Sequence, residues 1–260
     1  MTILDELAQT AKMRVEQDKT RCSLADMQKA ALSMQKGDFA FERALKKDDI
    51  AFICECKKAS PSKGIIAEDF PYLEIAKEYE RAGADCISVL TEPSRFLGSD
   101  DYLREIAESV SVPCIRKDFV VDEYMIYQAR VLGASAVLLI CSILEKGQLK
   151  EYIQLCDELG LSALVEAHDE GEIDKALQSG ARMIGVNNRN LKDFSVDTGN
   201  SGRLRSLVPN SVIFVSESGV KTPEDVQRLR EIGADAVLVG ETLMRAENKK
   251  EMLLWLKGQI

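Results

Sequence analysis

The chain has 260 residues, 45% of them apolar, enough for one large α/β domain or two small ones. Its 34 basic and 43 acidic side chains give a formal charge of −9, which excludes nucleic acid as the expected partner, because a phosphate backbone wants a basic face. No stretch nears the ~18 consecutive apolar residues of a membrane span, so no membrane partner is expected either.

Residues 1–48 read as two helices. The first carries Leu4, Leu7, Ala8, Ala11 and Val15 on one stripe, and the second starts at a capping box from Ser23 to Asp26. They form an N-terminal helical extension, too short for a good core of its own, packed on a catalytic domain at 49–260. The start, Met1 to Glu6, is acidic early and lacks a secretory signal. Seven cysteines, none in a C-x-x-C pair, read as reduced thiols of a cytoplasmic protein. The single histidine, His168, leaves no multi-histidine metal site.

The domain begins with a buried strand, Ala51 to Lys57. Side chains alternate along a strand, so Glu55 and Lys57 share one face, where a carboxylate and an ammonium must pair or work. Lys58 to Ala67 follows, a segment of lysines, serines, a proline and a glycine that reads as a mobile lid. Gly64→Pro is expected to restrict it. Then a weak repeat recurs four times. Ala82-Gly83-Ala84-Asp85, Leu132-Gly133-Ala134-Ser135, Ser179-Gly180-Ala181-Arg182 and Ile232-Gly233-Ala234-Asp235 each end an amphipathic stretch and run into a continuous apolar strand. Glycine caps the helix, and the continuous strand predicts a parallel sheet buried on both faces. Val112–Lys117, Ser162–Glu166 and Val212–Glu217 supply the remaining strands, and Thr222-Pro223-Glu224 opens a helix. Eight strand–helix units in roughly 210 residues match an α/β (β/α)8 barrel. An open doubly wound sheet fits less well, because no G-x-G-x-x-G follows the first strand.

Catalytic groups of a barrel gather at the strands' C-terminal ends. Here those ends carry Glu55/Lys57, Arg116-Lys117-Asp118-Phe119, Glu166 with His168, Asn187-Asn188-Arg189-Asn190, Glu217-Ser218-Gly219 and Gly240-Glu241. One such charge ordinarily serves a salt bridge, but six polar ends on one rim point to a site. Gly219 and Gly240 let the backbone approach a phosphate, and Glu241–Arg245 can form a short helix above it, with the Glu241 side chain turned to water. Gly240→Val is therefore expected to act mainly on KM.

Glu55-Cys56-Lys57-Lys58-Ala59-Ser60-Pro61-Ser62-Lys63-Gly64 resembles the signature of the indole-3-glycerol-phosphate synthase family of tryptophan biosynthesis. Arg116–Phe119, Leu164–His168, Ile184–Leu191, Ser216–Gly219 and Leu238–Gly240 resemble its further motifs in the same order, so the resemblance covers essentially the whole chain. It implies a carboxy-lyase acting on 1-(2-carboxyphenylamino)-1-deoxyribulose 5-phosphate by ring closure, decarboxylation and dehydration. It further implies Lys117 as general acid, Lys57 as second lysine and Glu166 as base. Glu55, Glu217 and Asn187 complete the catalytic set. Ser60, Phe119, Arg189, Ser218, Gly219, Gly240 and Glu241 bind substrate. No cofactor and no metal are implied, because the cationic ring intermediate is itself the electron sink. The resemblance gives His168 no role, and loop packing is its expected place. A monomer is expected. Phosphoribosylanthranilate isomerase chemistry wants a carboxylate with a cysteine or aspartate, and the two strand-end lysines favour ring closure. A non-catalytic phosphate sensor would leave a buried charge cluster unused, at a cost in stability.

Overall fold

The architecture is that of a computed structural model, which describes residues 2–190 and 194–260. Helices α1 (Ile3–Arg21), α2 (Leu24–Ser33) and α3 (Ala40–Leu45) precede strand β1 (Ala51–Cys56), which is followed by a hairpin of β2 (Ala59–Ser60) and β3 (Gly64–Ile65). Seven helix–strand pairs come next: α4 (Tyr72–Arg81) and β4 (Cys86–Leu90), α5 (Asp100–Ser109) and β5 (Cys114–Lys117), α6 (Glu123–Val131) and β6 (Ala136–Ile140), α7 (Lys146–Leu159) and β7 (Ser162–Ala167), α8 (Glu170–Gln178) and β8 (Met183–Asn187), α9 (Asn200–Arg205) and β9 (Ile213–Glu217), α10 (Pro223–Glu231) and β10 (Ala236–Val239). Helices α11 (Glu241–Arg245) and α12 (Lys249–Leu256) end the chain.

Strand β1 and strands β4 to β10 are parallel and close on themselves, because Cys54 of β1 sits opposite both Ile87 of β4 and Val239 of β10. The barrel is the expected (β/α)8 one. The four repeat glycines follow α4, α6, α8 and α10 with φ of 82°, 86°, 91° and 74°. That left-handed turn ends each helix and feeds the next strand. Thr222 and Asp225 form a reciprocal capping box at α10, with Pro223 in the first turn.

The helical segment before β1 differs from expectation in two ways. At α2 the Ser23 side chain accepts from the Asp26 amide, but the Asp26 carboxylate bonds back to the Ser23 hydroxyl rather than to its amide, so the box is half made. A third helix, α3, closes the bottom of the barrel. It starts at Phe39 in a left-handed conformation (φ 57°) with no side-chain cap, so no start signal stands in the sequence. Burial of Phe41 and Leu45 holds it, with Arg182 bound to Glu42 at 2.9 Å and its guanidinium over the Phe39 ring.

Helix α1 is tied to the segment after β5, and its first turns reach the barrel mouth. Arg14 grips Asp118 with two bonds of 2.7 and 2.8 Å, and Lys19 meets Asp122 at 2.9 Å. Asp118 is fully buried, and one Arg14 nitrogen, Nη2, reaches both its oxygens, so removing Arg14 leaves a buried carboxylate short of compensation. Arg14→Ala is therefore expected to lower the unfolding free energy by about 2–4 kcal/mol, seen as a lower urea midpoint at unchanged m. An unshifted midpoint would show that the clamp is dispensable.

Candidate active site

Strand alternation sorts the polar strand ends into two sets. Glu55, Lys57, Lys117, Glu166, Asn187 and Glu217 turn into the barrel mouth, where they line one cavity of about 710 Å³. Arg116, one residue from Lys117, turns outward and is fully buried beneath the helices. It binds Asp100 at 2.8 Å, Gln128 at 2.8 Å and the Met125 carbonyl. Asn188 likewise faces away, donating to Ser216 and the Ser218 carbonyl and accepting from Ser201. These two members of the sequence motifs build the wall rather than the site.

Two lysines anchor the inward set. Lys117 Nζ lies 2.9 Å from Glu217 Oε2 and 3.2 Å from Glu166 Oε2. Lys57 Nζ lies 2.6 Å from Glu55 Oε1, and Ser88 donates to the other Glu55 oxygen at 3.2 Å. Burial works against the Lys117 ammonium, yet Glu217, Glu166 and Glu55 outweigh it and raise its pKa, so the group is fully charged at neutral pH. Burial also works against the Glu55 carboxylate, but Lys57 and Lys117 hold it below its ordinary value. Glu217 goes the other way. Burial first, and repulsion from Glu166 and Glu55, outweigh Lys117 and push its carboxyl up to about 7.

Two glycines inside the barrel make this packing of charge possible. A Cβ at Gly185 would collide with the Glu217 carboxylate, and one at Gly240 would collide with that of Glu55 and come within 2.9 Å of Lys57 Nζ. Gly240 thus makes room for the Glu55–Lys57 pair, a second use beyond the backbone approach expected of it. Ser218 and Gly219 both take left-handed φ, 69° and 94°. Ser218 is held in that strained state by the Asn188 amide on its carbonyl. A side chain at Gly219 would meet Val196 and Thr198.

Helix α11 forms as expected, and the part-exposed Glu241 side chain faces basic groups as well as water. Its carboxylate reaches Arg245 at 3.1 Å and Lys63 at 3.7 Å, with Arg189 at 4.0 Å. Arg189 also donates to Ser62 and to the Phe194 carbonyl, while Asn187 accepts from the Arg189 amide. The Lys58–Ala67 segment is the β2–β3 hairpin, and its turn touches Arg189 and Glu241 across the mouth. Gly64 there has φ 64°, which proline cannot adopt, so Gly64→Pro would unmake the hairpin rather than restrict its motion. Ser60 and Phe119 line the cavity too, with Phe96 beside Phe119 at a ring separation of 6.1 Å. Among the described residues, no group of three or more His, Cys, Asp or Glu side chains is placed to hold a metal ion.

Comparison with known proteins agrees with this geometry. The family model for indole-3-glycerol phosphate synthase matches residues 4–255. The chain belongs to the indole-3-glycerol phosphate synthase family. A relative of that name from Ruminiclostridium cellulolyticum is 55% identical over 98% of this chain and 99% of its own. Another, from Endomicrobium trichonymphae, is 54% identical over the same shares. Among solved structures, 3-hexulose-6-phosphate synthase from Salmonella typhimurium aligns with a TM-score of 0.67 at 13% identity, covering 81% of this chain and 98% of that one. At that identity the likeness shows the barrel alone.

Some residues that shape this synthase-family site were not legible. Ile3, Leu4 and Leu7 of α1 line the cavity, as do Phe96, Leu138 and Ile140. The apolar stripe of α1 gave Leu4 and Leu7 as packing residues, and nothing local said that they pack over a cavity. His168 packs in the loop between β7 and α8, against Glu166 and Glu172, as expected of a loop-packing residue. Leu191, the end of one family motif, lies outside the described residues.

Proposed function

We propose that this rim converts 1-(2-carboxyphenylamino)-1-deoxyribulose 5-phosphate to indole-3-glycerol phosphate, carbon dioxide and water. The observation that carries the reading is the buried Lys117 ammonium held between Glu217 and Glu166 and facing a second, Lys57–Glu55 pair. An acid that must sit charged in a dry cavity needs such carboxylates around it.

The roles follow from the chemistry. The aromatic carbon bearing the carboxylate bonds to the ketone carbon, and Lys117 gives its proton to the ketone oxygen. The C–CO2 bond then breaks, and its electrons restore the aromatic ring without a cofactor. Lys57 protonates the hydroxyl as its C–O bond breaks, and Glu166 takes the proton from the adjacent carbon. Two protons go in and one comes out, so one is taken up overall. Glu55 and Glu217 orient the lysines. Asn187, Arg189 and Ser60 hold the polar groups, and Arg189 suits the planar carboxylate. Phe119 and the apolar wall of α1 take the aromatic ring. This division of labour rests on treating 1–48 as an extension and 49–260 as the barrel proper.

The phosphate sits on main-chain N–H groups at Ser218–Gly219 and Gly240–Glu241, with Lys63 close by. Gly240→Val should then lower kcat as well as raise KM, with kcat/KM falling about 10²–10³-fold, since the new side chain displaces Glu55 and Lys57. A rise in KM at wild-type kcat would limit this glycine to phosphate binding. A crystal structure with product bound tests the whole placement. It should put the phosphate on these amides and the indole against Phe119 and Leu7, and product should protect the amides of 58–67 from hydrogen exchange. Phosphate bound elsewhere on the rim would refute it.

The same reading makes the protein a cytoplasmic monomer. Its described helices include none long and apolar enough to cross a membrane, and all seven cysteines are free thiols. A sedimenting mass above the single-chain 28.9 kDa would overturn the monomer assignment.

A further inference from the structure

His168 is the one imidazole in the chain, and the reaction scheme above leaves it without work. Its placement is specific. Its Nδ1 lies 3.1 Å from Glu172 Oε2, and its own backbone N–H donates to that same oxygen at 2.8 Å. The other Glu172 oxygen accepts from Ser142, and the Asp169 side chain accepts from the Glu172 amide. Glu172 is therefore fixed on both oxygens, and the ring is fixed on Glu172. Asn200 holds the His168 carbonyl.

This fixing aims Nε2 at Glu166 Oε1, 3.5 Å away. Nε2 is buried and has no hydrogen-bond partner, and neither has Glu217 Oε1 nearby. With the Nδ1 hydrogen given to Glu172, a neutral ring turns a lone pair toward a carboxylate, which is repulsive. A charged ring turns an N–H toward it. The charged groups facing the ring are Glu166 from β7, Glu172 from α8 and Glu217 from β9, and Lys117 from β5 is reached through Glu166. Cys141, which touches the Glu172 carbonyl, has its thiol pushed up to about 12 by burial and is neutral.

We propose that His168, locked on Glu172, is a positioning residue for Glu166. Its protonated ring steadies the carboxylate in the geometry for proton abstraction, and loss of the ring proton releases that hold. This rests on the assignment of Glu166 as the base. Burial lowers the imidazole pKa, but Glu172 and Glu166 outweigh it, and the ring titrates above its ordinary 6.5.

A single histidine makes the test direct, because one imidazole resonance is read by NMR without assignment. Coupling is reciprocal, so if His168 acts on Glu166, Glu166 acts on His168. In the wild type the imidazole pKa should lie above 6.5, and in Glu166→Gln it should fall by about one unit. His168→Leu should lower kcat about tenfold with KM for the substrate within twofold, the scale of one charge-assisted bond lost. His168→Gln keeps a donor but does not titrate. It should recover most of kcat while losing the kcat–pH ionisation that coincides with the NMR titration. Glu217, pushed up to about 7, titrates as well, so the NMR value is needed to assign that ionisation. An imidazole pKa unmoved by Glu166→Gln, or a wild-type kcat–pH profile in His168→Leu, overturns the inference and leaves the base assignment standing. Wild-type turnover in Glu166→Gln overturns the base assignment and this inference with it.

Discussion

Lys117→Met leaves a folded barrel in which ring closure is slowed by about 10³-fold or more. Charge grows on the ketone oxygen as the aromatic carbon attacks, and Lys117 is the group surrounded by three carboxylates that keep it charged in a buried site. Methionine fills similar space but supplies neither proton nor charge. Its effect reaches stability too. Without the ammonium, the Glu217 carboxyl loses the partner that holds it down and rises further above its ordinary value. The native state then holds a proton that the unfolded chain releases above about pH 4.5, so the variant loses stability as pH rises through the native pKa. Kinetics measured at pH 6 and pH 8, with unfolding midpoints beside them, separate the catalytic loss from the stability loss. A drop of only a few-fold in kcat/KM, on a protein shown to be folded, would be about 1 kcal/mol and would remove Lys117 as the acid.

Glu166→Gln gives the second large effect. The amide keeps the shape and cannot take a proton, so dehydration should slow by about 10²–10⁴-fold. A reduced, unreactive substrate analogue should bind with nearly unchanged affinity, because Arg189 and the Gly219 and Gly240 backbone are untouched. Ring closure precedes dehydration, so a single-turnover experiment should release carbon dioxide and accumulate the hydroxylated intermediate. Collapse of analogue binding with normal turnover at saturation would make Glu166 a binding residue.

How much of this was legible follows from the range of each interaction. The four Gly-Ala turns and the strands after them are local, since helix caps and burial patterns are written within ten residues. The inward set at the strand ends was legible for the same reason: period-two alternation puts Glu55 with Lys57. It also separates Lys117 from Arg116, though the sequence alone did not say that Arg116 is sealed by Asp100 and Gln128. Contacts between distant segments were hidden. The wall given by Ile3, Leu4 and Leu7 depends on Arg14 finding Asp118, 104 residues away. Gly185 reads as an ordinary strand glycine until Glu217 on the next strand fills the space beside it. Glu241 finds Lys63 and Arg189 from two distant loops. Helix α3 had no cap to announce it, because tertiary burial of Phe41 and Leu45 replaces one.

Steady-state fluorescence with 1-(2-carboxyphenylamino)-1-deoxyribulose 5-phosphate tests the central assignment most directly. The purified protein alone, with no added cofactor, should develop indole fluorescence and release carbon dioxide in a ratio of about one to one, and Lys117→Met should abolish both. Binding of the substrate without indole fluorescence, or its isomerisation without release of carbon dioxide, would contradict the account.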